Sequence, residues 1–189
     1  MDKNYSEHPI LDEIIADKKK SHRTTLIFGT ATVLLFSIMM FIVLKENSFL
    51  QILLGLIIPI IFISSFITSG FGIDKKVIAM KDKFGLNTAE ELENLLEKCT
   101  KLSTSLYMSD TDIINFDTNY VFRIRSVTKA ETSEFDSDEG KPYAVKLSTR
   151  GSGTQRLGFD KKDERDKAYK IISAAVDFAD SNRNTPYRP

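Results

Sequence analysis

The chain has 189 residues, 42% of them hydrophobic and 28% charged, and its 26 Lys and Arg residues balance 26 Asp and Glu residues. Without a net positive charge the chain lacks the electrostatic footprint of a non-specific nucleic-acid binder, so no nucleic-acid partner is expected. One cysteine excludes an intrachain disulfide, and two histidines with one cysteine fall short of an ordinary structural zinc site, so neither a metal nor a cofactor is expected.

The charges are distributed very unevenly along the chain. Of the 52 charged side chains, only Lys45 and Glu46 lie between Thr24 and Gly72. Long uncharged stretches of this kind are typical of membrane spans. The sequence therefore predicts a membrane protein with a highly charged soluble part.

The N-terminal segment, residues 1–23, contains a short apolar periodicity. Pro9 suits the first turn of a helix, and the apolar side chains then recur on one side at Ile10, Leu11, Ile14 and Ile15. Two helical turns are not stable alone in water. We expect this amphipathic helix either to lie in the membrane interface or to cover a hydrophobic groove on the soluble domain.

Two uncharged stretches follow, at residues 24–44 and 49–71. The first covers roughly 31 Å as a helix, which matches the hydrocarbon thickness of a bilayer. Only residues 45–48 separate the stretches, so residues 24–72 are predicted to form a two-helix transmembrane hairpin. Pro59 lies within the second span and predicts a kink near residues 54–59.

Positive charge flanks the predicted hairpin on one side. The basic residues before the first span are Lys18, Lys19, Lys20 and Arg23, and those after the second are Lys75, Lys76, Lys81 and Lys83. The positive-inside rule therefore predicts a two-pass protein of the cell membrane with both termini in the cytoplasm. A cleaved signal peptide is the alternative, but the apolar run is too long and acidic residues precede it.

Neither span contains an ionisable residue, which disfavours a transporter acting alone. Gly29, Ala31 and Gly55 allow close helix approach, although the alternative, that they are ordinary span residues, is favoured. An accessory subunit of a transporter or secretion complex, and a homo-oligomer, both remain open.

Residues 73–102 are predicted to form juxtamembrane helices. Asp74 is placed to cap the first, and Gly85 to end it with a positive φ. The lysines of this segment either contact anionic lipid or only set the topology. Thr88 and Glu91 form a capping box for a second helix, whose apolar stripe is Leu92, Leu95, Leu96, Cys99 and Leu102. Cys99 is interpreted as an inert core residue.

From Ser103 the pattern alternates with a period of two, which predicts about six short antiparallel strands in an α+β domain over residues 103–180. Asp160 is placed to cap a final helix whose apolar face would bury against the sheet. That face consists of Ala168, Ile171, Ile172, Ala175, Val176 and Ala179, with Phe178 beside it. Residues 181–189 have no periodicity and are expected to be disordered.

Three segments carry a resemblance to a known family. They are YMSDTDIINF from Tyr107, YVFRIRSVTKAE from Tyr120 and PYAVKLSTRGSGTQRLGFDKKDERDKAYKII from Pro142. With the two preceding spans they resemble membrane-attached bacterial pleckstrin-homology-like (PH-like) proteins, over roughly residues 103–179. The resemblance implies a small antiparallel β-sandwich or barrel capped by a C-terminal helix. Six predicted strands are one fewer than that fold usually has.

The resemblance implies a binding platform for lipids, peptides or proteins, without a shared enzyme activity. Lipid-binding eukaryotic relatives carry basic residues around the first hairpin loop, but the loop predicted here, residues 109–112, is acidic. No histidine lies in the domain, and no Ser or Cys has an evident base, so the chain is not expected to be an enzyme.

The candidate contact residues are basic or aromatic. Arg123 and Arg125 are predicted to share one strand face, as are Lys146 and Arg150. An ordinary solvated face, with Glu131 or Glu134 opposite, is the favoured alternative. Phe135 is a possible exposed anchor in an acidic loop.

Three functions follow from these patterns. The leading hypothesis is a non-catalytic scaffold or sensor that binds a protein partner at the cytoplasmic face of the membrane. An anionic-lipid-binding module that uses the lysines of residues 75–83, with Arg123 and Arg125, is the first alternative. An accessory subunit of a transporter or secretion complex is the second.

Overall fold

The computed structural model describes residues 8–43, 49, 53–134, 141–150 and 153–183. The predicted turn at residues 45–48, Phe135, and residues 184–189 of the predicted tail lie outside these ranges. The chain divides into two compact units. The helical unit comprises residues 15–77, and the sheet unit comprises residues up to Ile14 and from Ile78 onward.

The first helix, α1, runs from Pro9 to Val43. Neither Gly nor Pro occurs between Ile10 and Phe28, so nothing in the sequence ends the helix there. The predicted amphipathic segment and the predicted first span are therefore one helix. Among the described residues α1 is the one helix long and apolar enough to cross a membrane, by length and composition.

The second apolar stretch is less regular. It forms a π turn at Leu53–Ile57, the helix α2 at Ile58–Ser69 and the short helix α3 at Ile73–Ile78. Pro59 lies in the first turn of α2, directly after the π turn. The π turn occupies the region where the sequence predicts a kink, and such turns are a usual source of helix irregularity.

Small residues permit close contacts inside the helical unit. A Cβ added to Gly55 would lie 2.5 Å from the Phe41 ring, and one added to Gly70 would collide with the His22 imidazole. Lys19 forms an ion pair with Asp74 at 2.7 Å. The prediction that Asp74 caps α3 is wrong. The helix begins one residue earlier, at Ile73, so Asp74 lies in its first turn.

The sheet unit begins with two helical elements whose ends follow the predicted signals. A 3-10 helix spans Ala79–Phe84 and ends at Gly85, which has a φ of 67° as expected. The helix α4 spans Ala89–Glu97 and opens with the predicted capping box, in which the Thr88 hydroxyl accepts from the Glu91 N–H at 3.1 Å.

The described ranges contain seven strands in two antiparallel sheets. The first has the order β1-β2-β3-β4, with β1 at Thr100–Ser103, β2 at Leu106–Met108, β3 at Asp112–Asn115 and β4 at Tyr120–Arg123. The second has the order β5-β6-β7, with β5 at Val127–Glu134, β6 at Tyr143–Thr149 and β7 at Gly153–Phe159. The strand that was not predicted from the sequence is β1. Leu102 belongs to it rather than to a helical stripe, because pairing with β2 outweighs the local helical period.

The C-terminal helix, α5, spans Lys162–Arg183 and packs on a core supplied by both sheets. Its predicted apolar face is confirmed by the buried Ala168, Ile172 and Val176, whereas Phe178 is exposed. The prediction that Asp160 caps α5 is wrong, because the first helical hydrogen bond goes to the Lys161 carbonyl. The Asp160 carboxylate lies 4.0 Å from the Lys141 ammonium. Residues 181–183 of the predicted tail are helical.

Candidate functional site

The turn between β2 and β3 shapes one wall of the candidate site. The Ser109 hydroxyl accepts from the backbone N–H groups of Thr111 at 3.3 Å and Asp112 at 2.9 Å, which fixes a tight turn. Asp110 and Asp112 lie on this wall. The sequence prediction placed this acidic turn in the first hairpin, which is wrong. Because β1 precedes it, the first hairpin connection is residues 104–105, which carry no basic side chain.

Arg123 and Arg125 do not share a strand, contrary to the prediction. Arg123 ends β4, whereas Arg125 lies in a 3-10 turn at Ile124–Ser126 that leads into the other sheet. The Ser126 hydroxyl donates to the Arg123 carbonyl at 2.7 Å, and this bond stabilises the turn. Both arginines nevertheless line one hollow of about 360 Å³. Its other walls are the acidic turn and Ala179 of α5.

The two guanidinium groups in this hollow have no carboxylate partner among the described residues. Asp112 lies directly across from Arg123 in the β3–β4 register. Its carboxylate instead accepts from the Thr111 hydroxyl at 2.6 Å. Both arginines are exposed. They are therefore available to an anionic or hydrogen-bonding ligand.

Lys146 and Arg150 form no continuous basic face with these arginines. Lys146 lies on β6, in the other sheet, opposite Glu131 in the strand register. The predicted position of Glu131 across from a basic residue is thus observed, but its carboxylate forms an ion pair with Lys129 at 2.5 Å. Arg150 lies beyond the end of β6, where its N–H donates to the Ser126 carbonyl at 2.9 Å, so it does not share a strand face with Lys146.

The juxtamembrane lysines fall into two groups. Lys75 and Lys76 are exposed on α3 in the helical unit. Lys81 and Lys83 lie in the sheet unit and contact protein. The Lys81 ammonium donates to the Asn87 carbonyl at 2.8 Å. The Lys83 ammonium donates to the Asn119 carbonyl and lies 5.6 Å from the centre of the Tyr120 ring.

Two further hollows border β4. One of about 500 Å³ lies between the 3-10 helix and the strand and is lined by Lys83, Phe84, Asp112, Tyr120, Val121 and Arg123. The other, of about 190 Å³, is lined by Tyr120 through Arg123 together with Ser126, Thr149 and Gln155. Neither Tyr120 nor Val121 is among the residues predicted to form a site. A tyrosine at the start of a predicted strand was the available signal, but the strand order that leaves β4 outermost cannot be inferred from the sequence.

A second polar cluster, which we call the N-terminal clasp, consists of Ile10, Leu11 and Glu93. The Glu93 carboxylate is buried and accepts from the backbone N–H of Ile10 at 2.6 Å and of Leu11 at 3.0 Å. Leu11 and Ile14 are fully buried in the sheet unit. Of the two surfaces predicted for the amphipathic segment, the structure therefore places its first turns on the sheet unit. The role of Glu93 was not predicted, because a glutamate in a helix is usually exposed to solvent.

The groups with the strongest nucleophilic potential are held in their protonated forms. Burial, followed by the charges of Asp110 and Asp112, raises the pKa of the Cys99 thiol. Cys99 lies just past the end of α4 and is half-buried, and its thiol lies 3.3 Å from the Leu95 carbonyl oxygen. Burial also raises the pKa of the Tyr107 hydroxyl, and the nearby Glu13 and Glu93 add to the shift. The geometry at these residues suits packing rather than nucleophilic chemistry.

Within the described residues, no group of three or more His, Cys, Asp or Glu side chains is arranged to hold a metal ion. No protein-family model matches the chain, and neither a curated protein nor a solved structure matches it.

Proposed function

We propose that the protein is a membrane-anchored, non-catalytic PH-like module that binds a protein partner as a scaffold or sensor at the cytoplasmic face. The observation that carries this proposal is the hollow at the end of β4, which Arg123 and Arg125 both line from two different elements and where neither has a carboxylate partner among the described residues. Exposed arginines that line a concave surface are suited to recognising carboxylates and carbonyls of a protein ligand.

Strand count and order support the PH-like part of the proposal. Four antiparallel strands, then three, then a C-terminal helix packed on the shared core follow the pattern that the sequence resemblance implies. The strand β1 is the seventh strand, which is usual for that fold and was not predicted from the sequence. Sandwiches of this kind provide loops and strand edges for binding on a rigid frame.

Contacts within the helical unit support a two-helix hairpin as the anchor. Phe41 lies against Gly55, His22 against Gly70, and Lys19 pairs with Asp74. In these contacts, residues earlier in α1 meet residues later in the segment 55–74. Such an order of contacts indicates that the two segments run antiparallel. Exposed apolar side chains such as Phe28 and Ile42, 69% and 70% exposed, suit a lipid environment.

Site-directed photo-crosslinking in the native membrane tests the proposed function. A photo-crosslinking residue at Thr111, which lines the hollow, is compared with the same residue at Lys170, an exposed position on α5. Both carry Asp112→Asn, because replacing Thr111 removes the hydroxyl that holds the Asp112 carboxylate and would otherwise free it to pair with Arg123. We expect a discrete protein adduct from position 111 that disappears when Arg123→Gln and Arg125→Gln are added. Equal adducts from both positions, or adducts to lipid alone, would contradict a protein site at this hollow.

Anionic-lipid binding is the second candidate function. It is favoured by Lys75 and Lys76, which are exposed on α3 directly after the apolar segment and form no ion pair with a described residue. Such lysines contribute about 1 kcal/mol each near an anionic surface. Charge reversal at both positions is expected to weaken binding of the detergent-solubilised protein to phosphatidylserine vesicles, and unchanged binding would remove this candidate.

A further inference from the structure

The backbone of β4 has a definite inner and outer side. The Ile124 N–H donates to the Thr111 carbonyl at 2.8 Å, and this pair continues the β3–β4 register that joins Arg123 to Asp112. Hydrogen-bonded and non-hydrogen-bonded pairs alternate in an antiparallel ladder. Phe122 is therefore bonded to β3, whereas the backbone groups of Val121 and Arg123 point away from it.

These outward groups are open. In the order β1-β2-β3-β4, no strand of the described part of the chain pairs with β4 on its outer side. Of the outward groups, the Arg123 carbonyl accepts from the Ser126 hydroxyl. The N–H and C=O of Val121 and the N–H of Arg123 form no hydrogen bond with any described residue. They are the donors and the acceptor with which a strand edge binds another strand.

The space beside this edge matches an extended chain. The hollows of about 500 Å³ and 190 Å³ both include Val121 and Arg123 in their walls. Both hollows therefore border the part of the strand that carries the open backbone groups. Tyr120, 48% exposed, offers an aromatic surface for an apolar side chain.

The charges beside the edge favour an acidic ligand. Arg123 and Lys83 line the larger hollow, and Arg125 lies just beyond the strand end. Asp112, the one carboxylate in the lining of that hollow, is turned onto Thr111. Asp110 lines the hollow that contains Arg125 and reduces the local positive charge there.

We propose that β4 binds an extended acidic segment of a protein partner as an added strand. The partner chain exchanges hydrogen bonds with Val121 and accepts from the Arg123 N–H. Carboxylates at alternating positions of that chain reach Arg123 and Lys83, since alternate side chains of a strand share one face. This inference rests on the proposed function, because it specifies how a protein ligand is held at that site. A short edge strand carrying a charge is also a known protection against aggregation, and on that interpretation no peptide binds.

The first experiment measures binding of defined peptides to the full-length protein in phosphatidylcholine nanodiscs. The probes are three fluorescein-labelled octapeptides in which valine alternates with glutamate, glutamine or lysine. We expect the glutamate peptide to bind about tenfold more tightly than the glutamine peptide, and the lysine peptide not to bind. Absence of binding by all three, or equal binding by all three, overturns the proposal.

Variants then locate the binding. Val121→Pro removes the outward N–H without removing a ladder bond, and Val121→Thr keeps both the N–H and the strand preference. The proline variant is expected to abolish binding of the glutamate peptide, and the threonine variant to preserve it. Should the proline variant fail to fold, Arg123→Gln with Lys83→Gln is expected to weaken binding at least tenfold, against no change for Lys170→Gln.

These outcomes separate the binding mode from the proposed function. A crosslink at position 111 together with an ineffective Val121→Pro would retain the protein site and reject the added strand. Loss of both the crosslink and peptide binding would reject both. Binding of phosphatidylserine vesicles that depends on Arg123 and Arg125, without peptide binding, would assign the site to lipid and overturn the proposal.

Discussion

The N-terminal clasp and the open edge of β4 use polar groups of the sheet unit in opposite ways. Glu93 is 4% exposed, and each of its carboxylate oxygens accepts a backbone N–H from the start of α1. Arg123 is exposed, and its guanidinium and N–H have no partner among the described residues. Burying an unpaired charge is costly, so the paired group is part of the fold, whereas the unpaired one is available for binding. Substitutions in the two regions should therefore affect different properties.

The largest expected effect is at the clasp. Glu93→Ala removes the acceptor of two helix N-terminal amides and the favourable charge at the positive end of α1. We expect a loss of about 2–4 kcal/mol in the free energy of unfolding, together with release of Leu11 and Ile14. Denaturant unfolding of the protein in micelles, followed by tyrosine fluorescence, measures this loss in the free energy of unfolding. Glu90→Ala, an exposed residue on the same helix, is the control and should change little.

The next effect tests a second buried, paired charge. Arg165 on α5 is 4% exposed, donates to Asp166 at 2.7 Å and lies 5.6 Å from the centre of the Tyr143 ring. Arg165→Ala is expected to cost about 1–3 kcal/mol through lost hydrogen bonds and packing. The exposed Lys167→Ala serves as the matched control. Equal unfolding midpoints for the two variants would show that this buried arginine does not stabilise α5.

The open edge should show the reverse behaviour. Arg123→Gln combined with Arg125→Gln is expected to change the free energy of unfolding by less than about 0.5 kcal/mol, because neither guanidinium contacts a partner within the part of the chain that the structure describes. The same variant should lose the photo-crosslink at position 111. A destabilisation as large as that of Glu93→Ala would mean that these arginines are structural, and the contrast between the two regions would fail.

The smallest expected effect is at Cys99. Because burial and then Asp110 and Asp112 raise the pKa of its thiol, the thiolate is scarce at pH 8. Alkylation by iodoacetamide should be slower than for a free cysteine at pH 8 and should accelerate only at pH values above the usual cysteine range of about 8.5. Asp110→Asn should move that acceleration to lower pH. Alkylation at the free-cysteine rate would contradict the burial of this thiol.

Local signals predicted local structure well. The capping box at Thr88, the positive φ of Gly85 and the buried face of α5 all follow from residue types at fixed spacing. Pairing between strands was harder to predict from the sequence. Leu102 fits a helical stripe as well as a strand, and only β2 beside it decides between them.

The candidate site was predicted in part. Arg123 and Arg125 were identified, but on one strand face rather than on a strand and the turn after it, because the 3-10 turn at Ile124–Ser126 has no distinctive residue pattern. Glu93 was missed since its partners are more than 80 residues away. The open edge of β4 depends on strand order, which the alternation of side chains does not reveal.

Residue-resolved amide hydrogen exchange of the full-length protein in nanodiscs, without a partner, tests the contrast most directly. First-turn helix amides ordinarily exchange fast because they lack intrahelical acceptors. We predict slow exchange at Ile10 and Leu11, whose N–H groups bind buried Glu93, and fast exchange at Val121 and Arg123. Fast exchange at the clasp with strong protection along the outer side of β4 would contradict the account.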